Sequence, residues 1–237
     1  MPLNLYKQTG ETPLERIKRL RVEYPEYKDA VLSYAGRLDP LAEGVMLVLV
    51  GDENNHREKF LSLRKEYLVD VIFGVATDTY DVLGKVLRVG RSPVDVGKKV
   101  EQMLPKLIGE HVQEYPPFSS KTVDGRPLYK WAREGKLPEI KMPSREIEIY
   151  LADVLDCYTI SASELREKIT EKIGRVTGDF RQKEILERWD EALRSDLKDP
   201  KRSDPKFHVV RMKISCSSGT YVRGLANRLG KEIGVGG

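Results

Sequence analysis

Residues 36–45 read GRLDPLAEGV and place an aspartate, Asp39, directly before a proline. A residue that precedes proline is pushed toward extended backbone geometry, so this carboxylate is expected on a turn and not inside a helix. Most Asp-Pro pairs shape turns by hydrogen bonding to their own loop. Taken alone, the segment therefore favours a turn-forming aspartate over a functional one.

The chain on both sides of this turn carries clear helix and strand signals. Thr12 can cap a helix that begins at Pro13, and Glu15 can complete a capping box. Residues 45–50 form an apolar run that is too short and too β-branched to favour a helix. Residues 67–73 predict the best strand of the chain, and apolar side chains on both of its faces predict a sheet that is covered on both sides.

The rest of the chain adds helices and strands that are joined mostly by loops. Helices are predicted from Ser92, over residues 128–134 and from about Thr220, and strands over residues 147–158 and 207–216. This order lacks a strict alternation of strand and helix, and so it predicts a mixed α and β protein.

A charged segment, residues 160–205, separates the last two predicted strands. It begins with a second capping pattern, Ser161 and Glu164, and it mixes acidic with basic side chains. We predict one or two helices inserted between neighbouring strands. The mixed charge favours a solvated helical pair at least as much as an RNA clamp, so the role of this insertion stays open.

The composition is that of an ordinary soluble domain with a mildly basic balance. The chain has 237 residues, 40% hydrophobic and 33% charged, with a formal charge of +4 and a pI of about 8.9. That balance permits a polyanionic partner without requiring one. The two cysteines and three histidines are scattered, which predicts neither a disulfide framework nor a metal site. No apolar run reaches bilayer length and no signal peptide precedes the first helix, so we expect a cytoplasmic protein that is not embedded in a membrane.

Three further segments carry side chains with chemical potential. Residues 217–223 run from a predicted strand into a helix, where Arg223 can bind a carboxylate or phosphate or form a structural ion pair. Tyr67 opens the strongest strand, and an aromatic residue there is more often part of a core. Residues 115–135 interleave aromatic with basic residues, a pattern that suits RNA but also a solvated loop.

Together these segments resemble the TruB family of pseudouridine synthases, which convert uridine 55 in the T-loop of transfer RNA to pseudouridine. Residues 38–45 resemble the LDPLATGVL signature, 65–67 the KxY motif and 74–79 the GxxTDT strand end. Residues 115–135 resemble the PPxxSAxKxxGxxxYxxAReG segment, and 216–230 the CSxGTYIRxLAxDLG segment. Five matches in family order are more specific than any one of them, and they change the expected role of the Asp-Pro turn from structural to functional.

The resemblance implies a role for each matching residue. Asp39 would be the nucleophile, and Arg223 would pair with its carboxylate and keep it ionised. Tyr67 would stack on the flipped uracil and assist proton removal from C5, while Tyr221 would line the same pocket. The family reaction uses no metal and no other cofactor.

The resemblance also implies how the RNA is held. Lys121, Lys130 and Arg133 would belong to a mobile insertion, residues 119–145, that closes over the RNA. Where the family usually has His-Thr-Gly, this chain has Tyr34-Ala35-Gly36, so Tyr34 is expected to fill the space of the flipped base. The RLD sequence that begins at Arg37 resembles the RluA-type synthases, whose arginine occupies that space, and we predict that Arg37 shares the task.

The family implies an α+β protein with the pseudouridine-synthase-like fold: a central mixed, mostly antiparallel sheet flanked by helices and loops. We expect one catalytic domain over residues 1–237, without the PUA domain that the family often carries. The expected partner is transfer RNA or another structured RNA, bound by a monomer without a guide RNA.

Three alternatives remain open at this stage. The chain could be a non-catalytic RNA-binding module of the same fold, although a pure binder has no need for Asp39, Tyr67 and Arg223 together. It could also be a guide-dependent synthase of the dyskerin type or a synthase acting on a different RNA. A nucleoside hydrolase or glycosidase would need a second carboxylate or a calcium site, for which no motif is found.

Overall fold

A computed structural model describes residues 2–197 and 204–236 of the chain. These residues form two compact units: the first comprises residues 2–63 and 168–182, and the second comprises residues 64–167, 183–197 and 204–236. Residues 198–203, which belong to the predicted charged insertion, lie outside the described part.

The first unit is a small sheet with one long helix. Its elements are β1 (Leu3–Lys7), α1 (Pro13–Glu23), β2 (Leu32–Tyr34), β3 (Gly44–Val50) and α2 (Arg57–Leu61). The strand order is β1-β3-β2, with both pairings antiparallel. The predicted capping box is confirmed, because the Glu15 amide donates to the Thr12 hydroxyl and the Thr12 amide donates to the Glu15 carboxylate. Ile17 and Leu20 on α1 bury their side chains with Met46 and Val48 of β3, and this contact holds the helix on the sheet.

The second unit is built on a four-stranded sheet. In chain order it contains β4 (Lys65–Phe73), β5 (Val75–Thr77), β6 (Val86–Val89), α3 (Val96–Met103), β7 (Gly109–Glu114), β8 (Thr122–Val123), β9 (Arg126–Pro127), α4 (Leu128–Arg133), β10 (Ser144–Ser161), α5 (Ala162–Gly174), α6 (Gln182–Leu197), β11 (Lys206–Cys216) and α7 (Val222–Ile233). Helix α5 runs on into the first unit, and α6 begins there. The main sheet has the order β4-β11-β10-β7, while β5-β6 and β8-β9 form separate ribbons.

One face of the main sheet carries the core of the second unit. Met212 and Ile214 of β11 are buried there with Leu225 and Leu229 of α7. The prediction that residues 67–73 are covered on both faces is wrong, since Leu68 is 72% exposed. On that open face Asp70 binds the Arg211 guanidinium of the neighbouring strand through two hydrogen bonds of 2.7 and 2.8 Å. A ladder of polar pairs therefore replaces a second covering layer.

The predicted fold class is confirmed. Every strand pairing among the described residues is antiparallel. The insertion contains the two expected helices, α5 and α6. The helix predicted from Ser92 begins later, at Val96, because the turn before it closes through a bond from the Val96 amide to the Pro93 carbonyl.

Candidate active site

The Asp39 turn connects β2 to β3 in the first unit. Gly36 and Gly44 flank it with φ angles of 102° and 126°, a region that side chains with a Cβ atom rarely adopt. The Ala42 amide donates to the Asp39 carbonyl over 3.0 Å, which closes the turn after the aspartate. Asp39 is half-buried. Glycine on both sides thus sets the backbone of a short segment that carries two carboxylates, Asp39 and Glu43, and Glu43 accepts from the Thr9 hydroxyl over 2.6 Å.

Lys7, at the end of β1, lies beneath this turn with no exposed surface. Its ammonium group donates to the carbonyls of Pro40 and Ala42, over 3.2 and 2.5 Å, and to that of Gln8 over 3.1 Å. Burial lowers the pKa of the Lys7 ammonium to about 8, and the carboxylates of Glu11, Asp39, Glu43 and Glu15 oppose this shift. A buried cation therefore fastens the first and third residues after the candidate nucleophile.

Replacing Lys7 by methionine is expected to lower the free energy of unfolding by about 1–3 kcal/mol at pH 7, because three carbonyls lose their donor. The loss should grow as the pH rises. The folded pKa of about 8 lies below the ordinary value of 10.5, so between these values the unfolded chain binds more protons and the wild type gains stability.

Urea unfolding at pH 7 and pH 10 checks this expectation for Lys7→Met beside Lys18→Met, which removes an exposed lysine of α1. If Lys7→Met lowers the free energy of unfolding equally at both pH values, burial does not lower the pKa of Lys7 in the folded protein. A loss no larger than that of the control contradicts the role of the three carbonyl contacts.

An arginine cleft opens beside the Asp39 turn in the first unit. It encloses about 390 Å³, and its lining includes Tyr34 and the three arginines Arg21, Arg37 and Arg57. The Arg37 guanidinium donates to the Tyr34 hydroxyl over 3.3 and 3.4 Å, and its central carbon lies 6.0 Å from the centre of the Tyr34 ring. No carboxylate lines the cleft within the described part of the chain. The arrangement suits a phosphate group or a stacked base.

Tyr67 and Tyr221 both belong to the second unit. Tyr67 lies on β4 opposite Ile214 of β11 and packs half-buried against the core. Tyr221 is the N-cap residue of α7, and its backbone is hydrogen-bonded to the side chain of Gln113 on β7. The Tyr221 amide donates to the Gln113 side-chain oxygen over 2.8 Å. The Gln113 amide group donates back to the Tyr221 carbonyl over 3.0 Å. This two-way contact fixes the first turn of α7.

Aromatic and basic side chains gather around Tyr221. The Tyr115 ring meets the Tyr221 ring edge-on, with their centres 5.7 Å apart, and the Lys121 ammonium lies 5.4 Å from the centre of the Tyr115 ring. A cavity of about 330 Å³ opens beside them, lined also by Tyr80 and Lys231. Burial, supported by the charge of Glu114, raises the pKa of the Tyr80 phenol, which therefore stays a hydrogen-bond donor.

Arg223 joins two loops of the second unit. Its guanidinium donates to the Thr79 carbonyl over 2.6 Å and to the Phe118 carbonyl over 3.1 Å. The guanidinium lies near the Tyr221 ring, with its central carbon 5.4 Å from the ring centre. Two backbone acceptors from different loops therefore orient one rigid fork of donors.

The Thr79 carbonyl belongs to a closed turn, residues 77–85. The Thr79 hydroxyl donates to the Asp81 carboxylate over 2.7 Å, and the same carboxylate accepts from the Leu83 amide over 3.0 Å. Asp78 closes the turn, because its carboxylate accepts from the Lys85 amide over 2.8 Å. The carboxylates of Asp78 and Asp81 thus fix the backbone of the turn whose Thr79 carbonyl accepts from Arg223.

Lys130 and Arg133 lie on α4 with exposed side chains. The hairpin before this helix turns at Asp124 and Gly125, whose φ angles of 50° and 75° suit a tight two-residue connection. Arg126 pairs with Glu134 and lies 5.1 Å from the centre of the Trp131 ring. The structure brings Lys121 to the Tyr115–Tyr221 cluster, whereas Lys130 and Arg133 present their charges on a separate helical face.

Sequence reasoning did not single out Lys7, Asp81 or Gln113. Lys7 had a readable signal, since the alternation of β1 places it on the same face as Leu3 and Leu5. Asp81 accepts from Thr79 and Leu83, two residues away on either side, which is a turn pattern local in sequence. Gln113 had no such signal, because its partner Tyr221 is 108 residues away in the chain.

No cluster of three or more histidine, cysteine, aspartate or glutamate side chains able to hold a metal occurs among the described residues. Nor does any helix within residues 2–197 and 204–236 have the length and apolar character needed to cross a bilayer.

The profile of the TruB family pseudouridylate synthases (N terminal domain) matches residues 27–175, which is more than half of the chain. The chain belongs to the TruB family. The matched TruB range contains Asp39, Tyr67 and the segment 115–135, and longer alignments extend over Tyr221 and Arg223.

Two TruB relatives illustrate the range of similarity. The tRNA pseudouridine synthase B of Aquifex aeolicus is 29% identical over 231 residues, which cover 98% of this chain and 62% of the relative. The corresponding protein of Fusobacterium nucleatum is 37% identical over 151 residues, covering 63% of this chain and 50% of the relative. The chain thus spans less than two thirds of the length of the curated TruB relatives it matches.

Solved structures support the same fold. A chain of the Cbf5-Nop10-Gar1 complex superposes with a TM-score of 0.53 at 17% identity, covering 99% of this chain and 45% of that one. A chain of an H/ACA RNP bound to a substrate RNA containing 2'-deoxyuridine gives a TM-score of 0.51 at 16% identity, covering 99% and 43%. At this identity the likeness establishes the fold of the TruB chain and nothing finer.

Proposed function

We propose that this chain catalyses the isomerisation of a uridine in transfer RNA to pseudouridine, with Asp39 as the nucleophile and uridine 55 of the T-loop as the target. The proposal rests on the Asp39 turn, which places this carboxylate directly before a proline whose carbonyl is held by a buried lysine, in a chain that belongs to a family of pseudouridylate synthases.

The reaction conserves every atom and changes no oxidation state. The bond between uracil N1 and sugar C1′ breaks, the base turns over, and C1′ joins C5. The hydrogen of C5 leaves to solvent as a proton, and N1 gains one. Asp39 attacks either C1′, where its bond replaces the one to N1, or the uracil C6. In the first route the carboxylate leaves as C5 joins C1′, and in the second it is eliminated from C6 after the base has turned over and joined C1′. Tyr67 stacks on the base, and Arg223 pairs with the Asp39 carboxylate. No metal or redox cofactor takes part in this scheme.

The target base must leave its stack before Asp39 can reach it, which costs a few kcal/mol. We assign Tyr34 and Arg37 to the space that the base vacates, because the two side chains already contact each other beside the Asp39 turn. Tyr221 lines the uracil pocket. Lys121, Lys130 and Arg133, within residues 119–145, contact the RNA backbone around it.

Tritium release tests the chemistry directly. The pure protein is incubated with tRNA transcripts labelled at uridine C5, and the modified position is then mapped. Release from position 55 supports the whole proposal, while release from another position keeps the chemistry and changes the target. RNA binding without release would indicate a non-catalytic module. Tritium release that appears only when a guide RNA is added would contradict the expectation that the protein needs no guide. The expected monomer is tested separately, by measuring the mass of the active species in sedimentation.

Replacing Arg57 by alanine is expected to weaken tRNA binding about threefold to tenfold at low salt, because one phosphate contact in the arginine cleft is lost. The slope of log affinity against log salt should fall by about one. Filter binding over a salt series measures both quantities. Lys59→Ala on the same helix removes an exposed cation that does not line the cleft. Equal effects of the two variants would mean that the cleft has no special part in binding.

A further inference from the structure

The insertion between β10 and β11 is not built as an RNA clamp. Residues 162–197 carry eight basic and nine acidic side chains, so the segment adds no positive charge. Several of these charges pair with one another, as in the bond from Arg166 of α5 to Asp190 of α6. Strands β10 and β11 already meet where the insertion departs, since Ser161 lies opposite Lys206. The two helices are therefore not needed to join the strands, and their polar surface does not favour RNA.

Two residues of α6, Trp189 and Glu184, bind the turn at residues 77–85. Trp189 is 2% exposed, and its indole N–H donates to the carbonyls of Val82 and Gly84 over 3.2 and 3.1 Å. Glu184, one and a half turns earlier, forms an ion pair with Lys85 at the end of the same turn. A buried donor with two backbone acceptors thus fixes the far side of this turn.

The fastened turn is the one that orients Arg223. The carbonyl of Thr79, inside the turn, accepts a hydrogen bond from the Arg223 guanidinium over 2.6 Å. Gly84 lies directly against Thr79, since a Cβ on Gly84 would come within 2.2 Å of the Thr79 hydroxyl. A displacement of the Gly84 carbonyl therefore moves Thr79, and with it the acceptor that Arg223 uses.

In the first unit, the connection between α5 and α6 is linked by hydrogen bonds to the turn that carries Asp39. The Thr177 amide donates to the Gly10 carbonyl over 3.2 Å, and the Gly10 amide donates to the Pro40 carbonyl over 2.8 Å. Pro40 directly follows Asp39. The Thr177 hydroxyl also binds the Glu15 carboxylate, next to the capping box of α1. Two hydrogen bonds in series thus lead from the insertion to the residue after the candidate nucleophile.

We infer that the insertion positions the catalytic turns, with Trp189 holding the turn that orients Arg223 and Thr177 supporting the turn that carries Asp39. These residues touch neither substrate nor reacting atoms; they are positioning residues. The inference rests on the proposed function for its catalytic consequence, but its structural link is testable without activity.

Hydrogen exchange in Trp189→Phe tests the structural link. Phenylalanine keeps an aromatic ring, though a smaller one, at this buried position and removes the indole donor. The amides of Asp78, Leu83 and Lys85, which bond within the turn, should exchange roughly tenfold faster than in the wild type. Arg188→Ala, an exposed neighbour on the same helix, should leave them unchanged. Unchanged exchange in Trp189→Phe overturns the inference whether or not the protein is active.

Steady-state kinetics tests the catalytic consequence. In Trp189→Phe, kcat for tritium release should fall about fivefold to tenfold while KM stays within about twofold, because RNA binding does not use the turn. Thr177→Val should lower kcat by a smaller factor, since its backbone donor remains. If Trp189→Phe showed faster amide exchange in the turn but the same kcat as Arg188→Ala, the insertion would only stabilise the fold. That result would also overturn the inference. An inactive wild type would instead count against the proposed function.

Discussion

Replacing Asp39 by alanine is expected to abolish tritium release from tRNA labelled at C5, with turnover reduced on the order of 10³-fold or more. Glu43, the other carboxylate between the glycines at positions 36 and 44, does not take its place, because it already accepts from the Thr9 hydroxyl over 2.6 Å. Asp39→Asn, which keeps the shape and removes the charge, should be as inactive as alanine.

Binding must survive for this result to identify a nucleophile. The affinity of Asp39→Ala for tRNA should stay within about threefold of the wild type, because the arginine cleft and the basic side chains of residues 119–145 are untouched. Urea unfolding should show a fold of near wild-type stability, since Glu11, Glu43 and Glu15 still compensate the Lys7 charge. Asp29→Ala, an exposed aspartate of the same unit, should release tritium normally. Substantial release by Asp39→Ala would exclude the proposed mechanism.

Local signals predicted most of the fold. The capping boxes at Thr12 and Ser161 are both present, because each depends only on residues three positions apart. Strand β1 was not predicted, although its alternation places Lys7 on the same inward face as Leu3 and Leu5. Prediction failed for the faces of residues 67–73, where Leu68 is 72% exposed, and it did not find β7. On β7 the polar Gln113 faces inward while Val112 is 73% exposed, because Gln113 is held by Tyr221, more than a hundred residues away.

The candidate site was predicted only as a set of family motifs. The resemblance predicts Asp39, Tyr67 and Arg223 as site residues, but its motifs contain nothing about the carbonyls of Thr79 and Phe118 that accept from Arg223. The role of Trp189 was equally unreadable, since a tryptophan at helical spacing predicts a core position. Its two acceptors lie over a hundred residues earlier in the chain, and only folding brings them within reach.

Arg223→Lys should reduce kcat about 100-fold or more, although the positive charge is kept. The guanidinium donates to two carbonyls of different loops, and we propose that it also pairs with the Asp39 carboxylate. Such a task needs a planar fork with several donors in fixed directions, whereas the lysine ammonium is a point charge on a flexible stem. KM should change little, because the lost interaction acts on the nucleophile and not on the RNA backbone.

Arg228→Lys supplies the matched control, five residues further along α7, where the arginine pairs with Glu232 on the helix surface. That change should leave kcat within about twofold of the wild type, since surface pairs of this kind contribute little. The contrast separates geometry from charge. If Arg223→Lys retained full turnover, a point charge would be sufficient beside Asp39, and the anchoring by Thr79 and Phe118 would serve stability alone. If kcat instead fell while exchange at residues 77–85 rose as in Trp189→Phe, the guanidinium and the turn would hold each other in place.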